Sequence, residues 1–249
     1  SSDGFLSRIK PTDSADEAYS EGIVREKLAG AMRYIKRNSV ARSREGERAR
    51  RDVLVTHLGG IAKSGTQYAR MFCQENKLLV NNAVSPRIAA ERLLSNGEQF
   101  SALVAVDDVF GTGQSVVDGL KQLNDKAGET IRTLQIPVFL VGICGFRRAI
   151  DFINRAIAEL GLPAEVYVSD ALTDEDKLFD SDGAIFETHQ NRMRAREIAE
   201  AKGRMLEKKW PLGYGDCEAG IVFFANCPNN SLPILYKSDK DWRPLFARV

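Results

Sequence analysis

The chain has 249 residues, 43% of them hydrophobic and 28% charged, with a formal net charge of +1. That balance excludes a disordered chain, and the near-neutral charge gives no global field for wrapping nucleic acid. Two histidines and four cysteines without C-x-x-C spacing exclude the usual zinc patterns.

The first 18 residues are polar and aperiodic, so they read as a loose arm. Apolar residues then recur at helical spacing from about Ala18 to Arg37, through Ile23, Leu28, Met32 and Ile35. From Arg25 to Arg51 basic residues outnumber acidic ones ten to three, and Arg42 to Arg50 reads as a helix charged nearly all round. Asp52–Thr56 is a β-branched strand. Gly59-Gly60 and Lys63-Ser64-Gly65 break it, and Thr66–Asn76 has helical periodicity. Lys77–Asn81 reads as a second strand. Ser85-Pro86 then starts a helix that runs to about Leu94. Ala102–Val106 is the third and most apolar strand, and a helix from Gln114 to about Lys126 follows it. Leu134–Cys144 is a strand, 146–160 a helix and Ala164–Val168 a further strand. Beyond Asp170 come an acidic loop, a polar helix over Thr188–Lys209, two apolar stretches (Gly220–Ala225 and Leu232–Tyr236) and a tail with Trp242 and Phe246.

Strands that are apolar on both faces and alternate with helices predict an α/β fold with a parallel, Rossmann-like sheet covered on both sides. Such sheets bind ligands beyond the carboxyl ends of their strands, which puts the loops at 57–65 and 107–115 on one edge. The expected organisation is N-terminal arm and helices over 1–50, a core over 51–170, and a C-terminal extension over 171–249, a helix plus strands packed on the core. Cys73, Cys144, Cys217 and Cys227 lie in or next to apolar segments, which suits buried thiols in a reducing compartment. No run of about 18 apolar residues exists, and Ser1-Ser2-Asp3-Gly4 does not resemble a signal peptide. The expected location is the cytoplasm, with no membrane partner.

The chemistry concentrates at Asp107-Asp108-Val109-Phe110-Gly111-Thr112-Gly113-Gln114-Ser115. An apolar strand delivers two adjacent carboxylates, and a glycine-bearing turn then opens a helix. Helix N-termini leave backbone N–H groups unpaired and carry partial positive charge, so they hold phosphate. Gly111 and Gly113 let backbone approach that phosphate, Thr112 and Ser115 add hydroxyls, and Asp107 and Asp108 can accept hydrogen bonds from a sugar diol or meet a metal through it. The alternative is a plain strand–turn–helix connection whose acids cap the helix. A nucleotide P-loop is excluded because no G-K-[ST] follows the glycines, and no G-x-G-x-x-G is present. The loop at 59–65 repeats the theme, with Lys63 as a cation beside Ser64 and Gly65; an ordinary turn with an exposed lysine is its alternative. His57 and Tyr68 lie nearby in sequence and read as core or supporting positions.

The segment at 106–115 closely resembles the phosphoribosyl-pyrophosphate motif of type I phosphoribosyltransferases. The resemblance implies a phosphoribosyltransferase-like core, with Asp107 and Asp108 on the ribose hydroxyls and Gly111, Thr112, Gly113, Gln114 and Ser115 around the 5′-phosphate. It implies pyrophosphate at Lys63, Ser64 and Gly65, and magnesium bound through the substrate rather than by a ligand set of the protein. Ser115 stands where Thr is commoner in that motif. Catalytic members carry a long flexible loop that closes over the substrate, whereas the interval Asn82–Phe100 is short and reads as a regular helix. The C-terminal segment from Val222 to Tyr236, with Trp242 and Pro244-Leu245-Phe246, resembles the tail of phosphoribosyltransferase-like proteins of bacterial conflict and defence loci, some of them retron-associated.

Two functions follow as expectations. One is an enzyme that uses phosphoribosyl pyrophosphate or a nucleotide, transferring or hydrolysing the ribosyl phosphate. The other is a non-catalytic nucleotide sensor whose basic helices contact a protein or nucleic-acid partner, such as a reverse transcriptase with its DNA in a retron setting. A homo-oligomer is compatible with either. Asn226, Asn229 and Asn230 are candidates for the site or for turn formation, and Trp242 and Phe246 read as staples of the tail.

Overall fold

The computed structural model describes residues 19–38, 51–58, 63–183 and 185–246. The arm at 1–18 and the charged stretch at Arg42–Arg50 lie outside these. The chain forms two compact units, one of Gly22–Ala171 and one formed from Leu172 onward together with the chain around Tyr19.

The first unit is a four-stranded sheet in chain order: β1 (Val53–Thr56), β2 (Ala102–Phe110), β3 (Val138–Phe146) and β4 (Ala164–Leu172). β1 runs parallel to β2 with Val53 opposite Ala102, and β2 runs parallel to β3 with Leu103 opposite Val138. Every residue of β1 and β3 is buried, as continuous apolar runs require when helices cover both faces. One face packs Leu54, Leu103, Ala105 and Leu140 against α3 (Pro86–Asn96), α4 (Gln114–Thr133) and α5 (Arg147–Leu160). The alternating residues turn to the other face, where α2 (Lys63–Glu75) packs on β1 and β2. α1 (Glu21–Asn38) ties this unit together through Lys27–Asp170 at 2.7 Å, Arg25–Glu75 at 3.3 Å and Tyr34 stacked near Tyr167. Two of the basic residues on α1 therefore serve internal ion pairs.

The helix after Ser85 forms as expected, with Pro86 at its first position and the Ser85 side chain accepting from the Ile88 N–H. The expected strand at Lys77–Asn81 does not form. Lys77 takes a positive φ of 53°, and Val80–Asn82 makes a 3-10 turn. Asn82 donates its amide to the Arg51 and Val53 carbonyls at 2.8 and 3.0 Å. Side-chain capture of backbone carbonyls replaces most of the ladder, and a bridge between Val55 and Ala83 stands in its place. β2, β3, β4 and α4 all run several residues further than periodicity suggested.

The second unit centres on α6 (His189–Leu206), whose N-cap Thr188 accepts from the Asn191 N–H. The small residues Ala195 and Ala199 of α6 pack on Phe179, Leu212, Cys227 and Leu232, and on α7 (Pro233–Tyr236). The strands expected in this extension are absent among the described residues; isolated bridges such as Ala219 with Ser231 take their place. Pro228 and Asn230 are the reason, since the turn they make satisfies the backbone locally: the Ser231 N–H donates to the Pro228 carbonyl. All four cysteines are free and buried.

Candidate functional site

β2 carries Asp107 and Asp108 as part of the strand rather than in the loop after it, opposite Gly142 of β3 and its neighbours. Phe110 ends the strand fully buried and lies against the Cα positions of Gly142 and Gly145, where side chains would come within about 3.0–3.1 Å of its ring and Cβ. The two glycines of β3 thus make a seat for Phe110, and Phe110 fixes the point at which the chain leaves the sheet.

The turn Gly111-Thr112-Gly113 follows. Gly113 is the N-cap of α4 in the left-handed conformation, with φ 79°. A Cβ there would meet the Ala149 carbonyl at 3.0 Å and the Ile153 and Phe152 side chains at 3.1 and 3.3 Å. Both the backbone sign and the space require glycine. The first helical hydrogen bond runs from the Val117 N–H to the Gly113 carbonyl at 3.0 Å. The amides of Gln114, Ser115 and Val116 precede it, where helical N–H groups have no carbonyl of their own helix to bond. The Gln114 N–H reaches only the Thr112 hydroxyl, at 3.3 Å, while the Gln114 side chain donates to Asp118 at 2.8 Å. Twenty residues of helical dipole therefore point their positive end at this turn.

The carboxylates are held from behind. Asp107 accepts from the Asp108 N–H at 3.0 Å, and Asp108 accepts from the Val109 N–H at 2.8 Å. Asp108 is buried; Asp107 keeps some exposed surface, but its carboxyl group is enclosed by protein. Burial first, and then the adjacent Asp108 charge, hold the Asp107 carboxyl well above its ordinary range. A pair so arranged can share a proton, one member donating and the other accepting, which matches the two-sided hydrogen bonding of a sugar diol. Tyr68 of α2 is fully buried behind the pair, its ionisation opposed by burial and then by the charges of Asp108 and Asp107. That is the supporting position the sequence suggested for it.

The chain leaving β1 reaches the same edge of the sheet. Leu58 packs its carbonyl against α4 at Gly119, where a Cβ would stand 2.3 Å away. Lys63, Ser64 and Gly65 form the first turn of α2 instead of a loop before it. Gly65 packs against His57, within 2.8 Å of where its Cβ would be. Residues 59–62 and the side chains of Lys63 and Ser64 lie outside the described structure.

The candidate asparagines of the tail serve their own unit. Asn230 is buried and donates to the Tyr214 carbonyl at 3.3 Å, the Asn229 carbonyl accepts from the Tyr214 N–H at 2.8 Å, and Asn226 closes a turn on Phe223. Trp242 packs on the second unit's core and donates its indole N–H to the Ile234 carbonyl at 2.9 Å. Phe246 is 41% exposed and does not act as a core staple.

Among the described residues no group of three or more His, Cys, Asp or Glu side chains could hold a metal. The two aspartates suit an ion that arrives on substrate oxygens. No helix among the described residues is long and apolar enough to cross a membrane. The family model PRTase-CE matches residues 17–248. No curated protein matches the chain.

Proposed function

Since the chain belongs to the PRTase-CE family, a phosphoribosyltransferase-like group, we propose that it binds phosphoribosyl pyrophosphate or a nucleotide at the β2–α4 turn and transfers or hydrolyses its ribosyl phosphate. The observation that carries this reading is the left-handed Gly113 cap, which opens α4 directly after the paired carboxylates of β2. The amides of Gln114 to Val116 and the Ser115 hydroxyl would hold the 5′-phosphate, and Asp107 and Asp108 the ribose hydroxyls. The first turn of α2, with Lys63, Ser64 and Gly65, would take the pyrophosphate. In the reaction the bond between the anomeric carbon and its leaving group breaks, the pair staying with pyrophosphate or base. A nucleophile or water then bonds to that carbon and loses a proton. Positioning and charge stabilisation supply the catalysis, with the acids holding the ring as positive charge develops. Magnesium, when carried on the substrate, would neutralise the departing pyrophosphate.

A second reading is a nucleotide sensor, and one observation favours it. The interval at which catalytic relatives of the motif carry a flexible lid holds the capped helix α3. The tail supports a wider form of either reading, a bacterial defence effector restrained by a partner such as a reverse transcriptase with its DNA.

The test is incubation with magnesium and labelled phosphoribosyl pyrophosphate or nucleotides, with release of pyrophosphate or free base as the readout. The enzyme reading expects product, abolished in the Asp107→Asn/Asp108→Asn double variant. Turnover that survives in the double variant contradicts the assignment. Tight binding without product selects the sensor.

A further inference from the structure

Beside the turn, α3 and α4 enclose a cavity of about 300 Å³. Its floor is apolar, made by Leu58, Ala90 and Leu123, all buried. The close approach of the Leu58 carbonyl to Gly119 builds that floor, because any side chain at 119 would push the chain leaving β1 off α4. The rim is polar and comes from one stripe of α4: Ser115, Asp118, Gln122 and Lys126, at spacings of three and four residues.

The rim has unspent hydrogen-bonding capacity. Asp118 Oδ1 accepts from Gln114 Nε2 at 2.8 Å, and its second oxygen has no partner among the described residues. The Gln122 amide and the Lys126 ammonium also make no hydrogen bond there. An apolar floor with a carboxylate, an amide and an ammonium along one edge fits a flat heterocycle that has apolar faces and a mixed donor–acceptor edge. Asp118 can accept from a ring amino group, Gln122 can donate and accept in the plane of the ring, and Lys126 can donate to a ring carbonyl. The carboxylate at mid-rim disfavours a second phosphate. The volume sits at the small end of the range for ligand sites, about 300–1,000 Å³, and is too small for a protein segment of any length.

We propose that this cleft binds a nucleobase. Ser115 belongs both to the cleft and to the phosphate turn, so the base would lie next to the ribosyl phosphate, as the free acceptor or as part of a nucleotide. The inference rests on the phosphoribosyl reading for its meaning, but the cleft can be tested without it.

The experiment titrates methyl- and amide-labelled full-length protein with adenine, guanine, cytosine and uracil, and separately with their nucleoside monophosphates. The expected result is that one base moves the methyl signals of Leu58, Ala90 and Leu123, and that Gln122→Leu weakens its Kd tenfold or more. The same variant should bind phosphoribosyl pyrophosphate within twofold of wild type. A monophosphate that moves both these methyls and the Gly113–Ser115 amides identifies the base as part of a nucleotide; a free base that moves the methyls alone identifies it as an acceptor. The proposal is overturned if no base or monophosphate moves those methyls, or if Gln122→Leu binds unchanged. Failure of the phosphoribosyl reading shows separately, as absent amide shifts at Gly113–Ser115 with phosphoribosyl pyrophosphate while the base shifts persist.

Discussion

The two units of this chain hold their shape by different means. In the first, β1 and β3 are buried along their whole length, and large side chains such as Phe110, Phe139 and Leu140 are almost completely enclosed. Each such burial contributes roughly 1.5–3 kcal/mol, and the polar groups left over are concentrated at the carboxyl edge of the sheet. In the second, regular structure is short, and specific polar contacts position the chain. Ser231 donates to the Ile221 carbonyl at 2.6 Å, Arg196 donates twice to Glu218 at 2.7 and 2.9 Å, and Lys237 pairs with Glu207 at 2.5 Å. A sheet core of the first kind can present two neighbouring carboxylates because its burial offsets their cost. A unit of the second kind spends its polar side chains on its own backbone, as Asn230 does.

Substitutions can break this contrast. Phe110→Ala removes the ring seated on Gly142 and Gly145 and is expected to cost about 3–5 kcal/mol in denaturant unfolding. A loss below 1 kcal/mol would show that the strand end is not fixed by packing. Gly113→Ala should cost about 1–2 kcal/mol for the left-handed backbone alone, more with the contact to Ala149, and should abolish binding at the turn. Calorimetric binding at wild-type affinity in this variant would separate the ligand from the helix cap. Arg196→Ala should cost about 0.5–1 kcal/mol, since the arginine is partly exposed. Its effect should be confined to faster hydrogen exchange in the second unit.

The Asp107 carboxyl gives the contrast a pH dependence. Its folded value lies above its unfolded one, so the folded state holds the proton more tightly. Stability is therefore expected to fall as pH rises from the ordinary carboxylate range through the raised value. Asp107→Asn removes that loss and should melt higher than wild type at neutral pH while losing function. Melting curves of the two proteins against pH check this, and superimposable profiles would contradict it.

The first unit was largely legible in the sequence because burial on both faces writes itself as continuous apolar runs, and the charged turn interrupts them at one point. Ala102–Phe110, Gly113 and the α4 start could be placed from residue types alone. What could not be read was where local side-chain chemistry overrides periodicity. Asn82 captures two carbonyls of the β1 edge and converts an expected strand into a 3-10 turn. Lys63 to Gly65 join α2 because Gly65 packs on His57, a contact far shorter than any sequence pattern records. The nucleobase cleft was invisible for the same reason: Asp118, Gln122 and Lys126 read as an ordinary solvated helix face until Gly119 places Leu58 beneath them. In the second unit, Asn226 to Ser231 fold by turns and bridges, which carry no period.

The most direct measurement is a titration of amide-labelled protein with phosphoribosyl pyrophosphate and magnesium. The account predicts saturable shifts of the Gly113, Gln114 and Ser115 amides, lost in the Asp107→Asn/Asp108→Asn variant. Unmoved amides in the wild type, or equal shifts in the double variant, would contradict it.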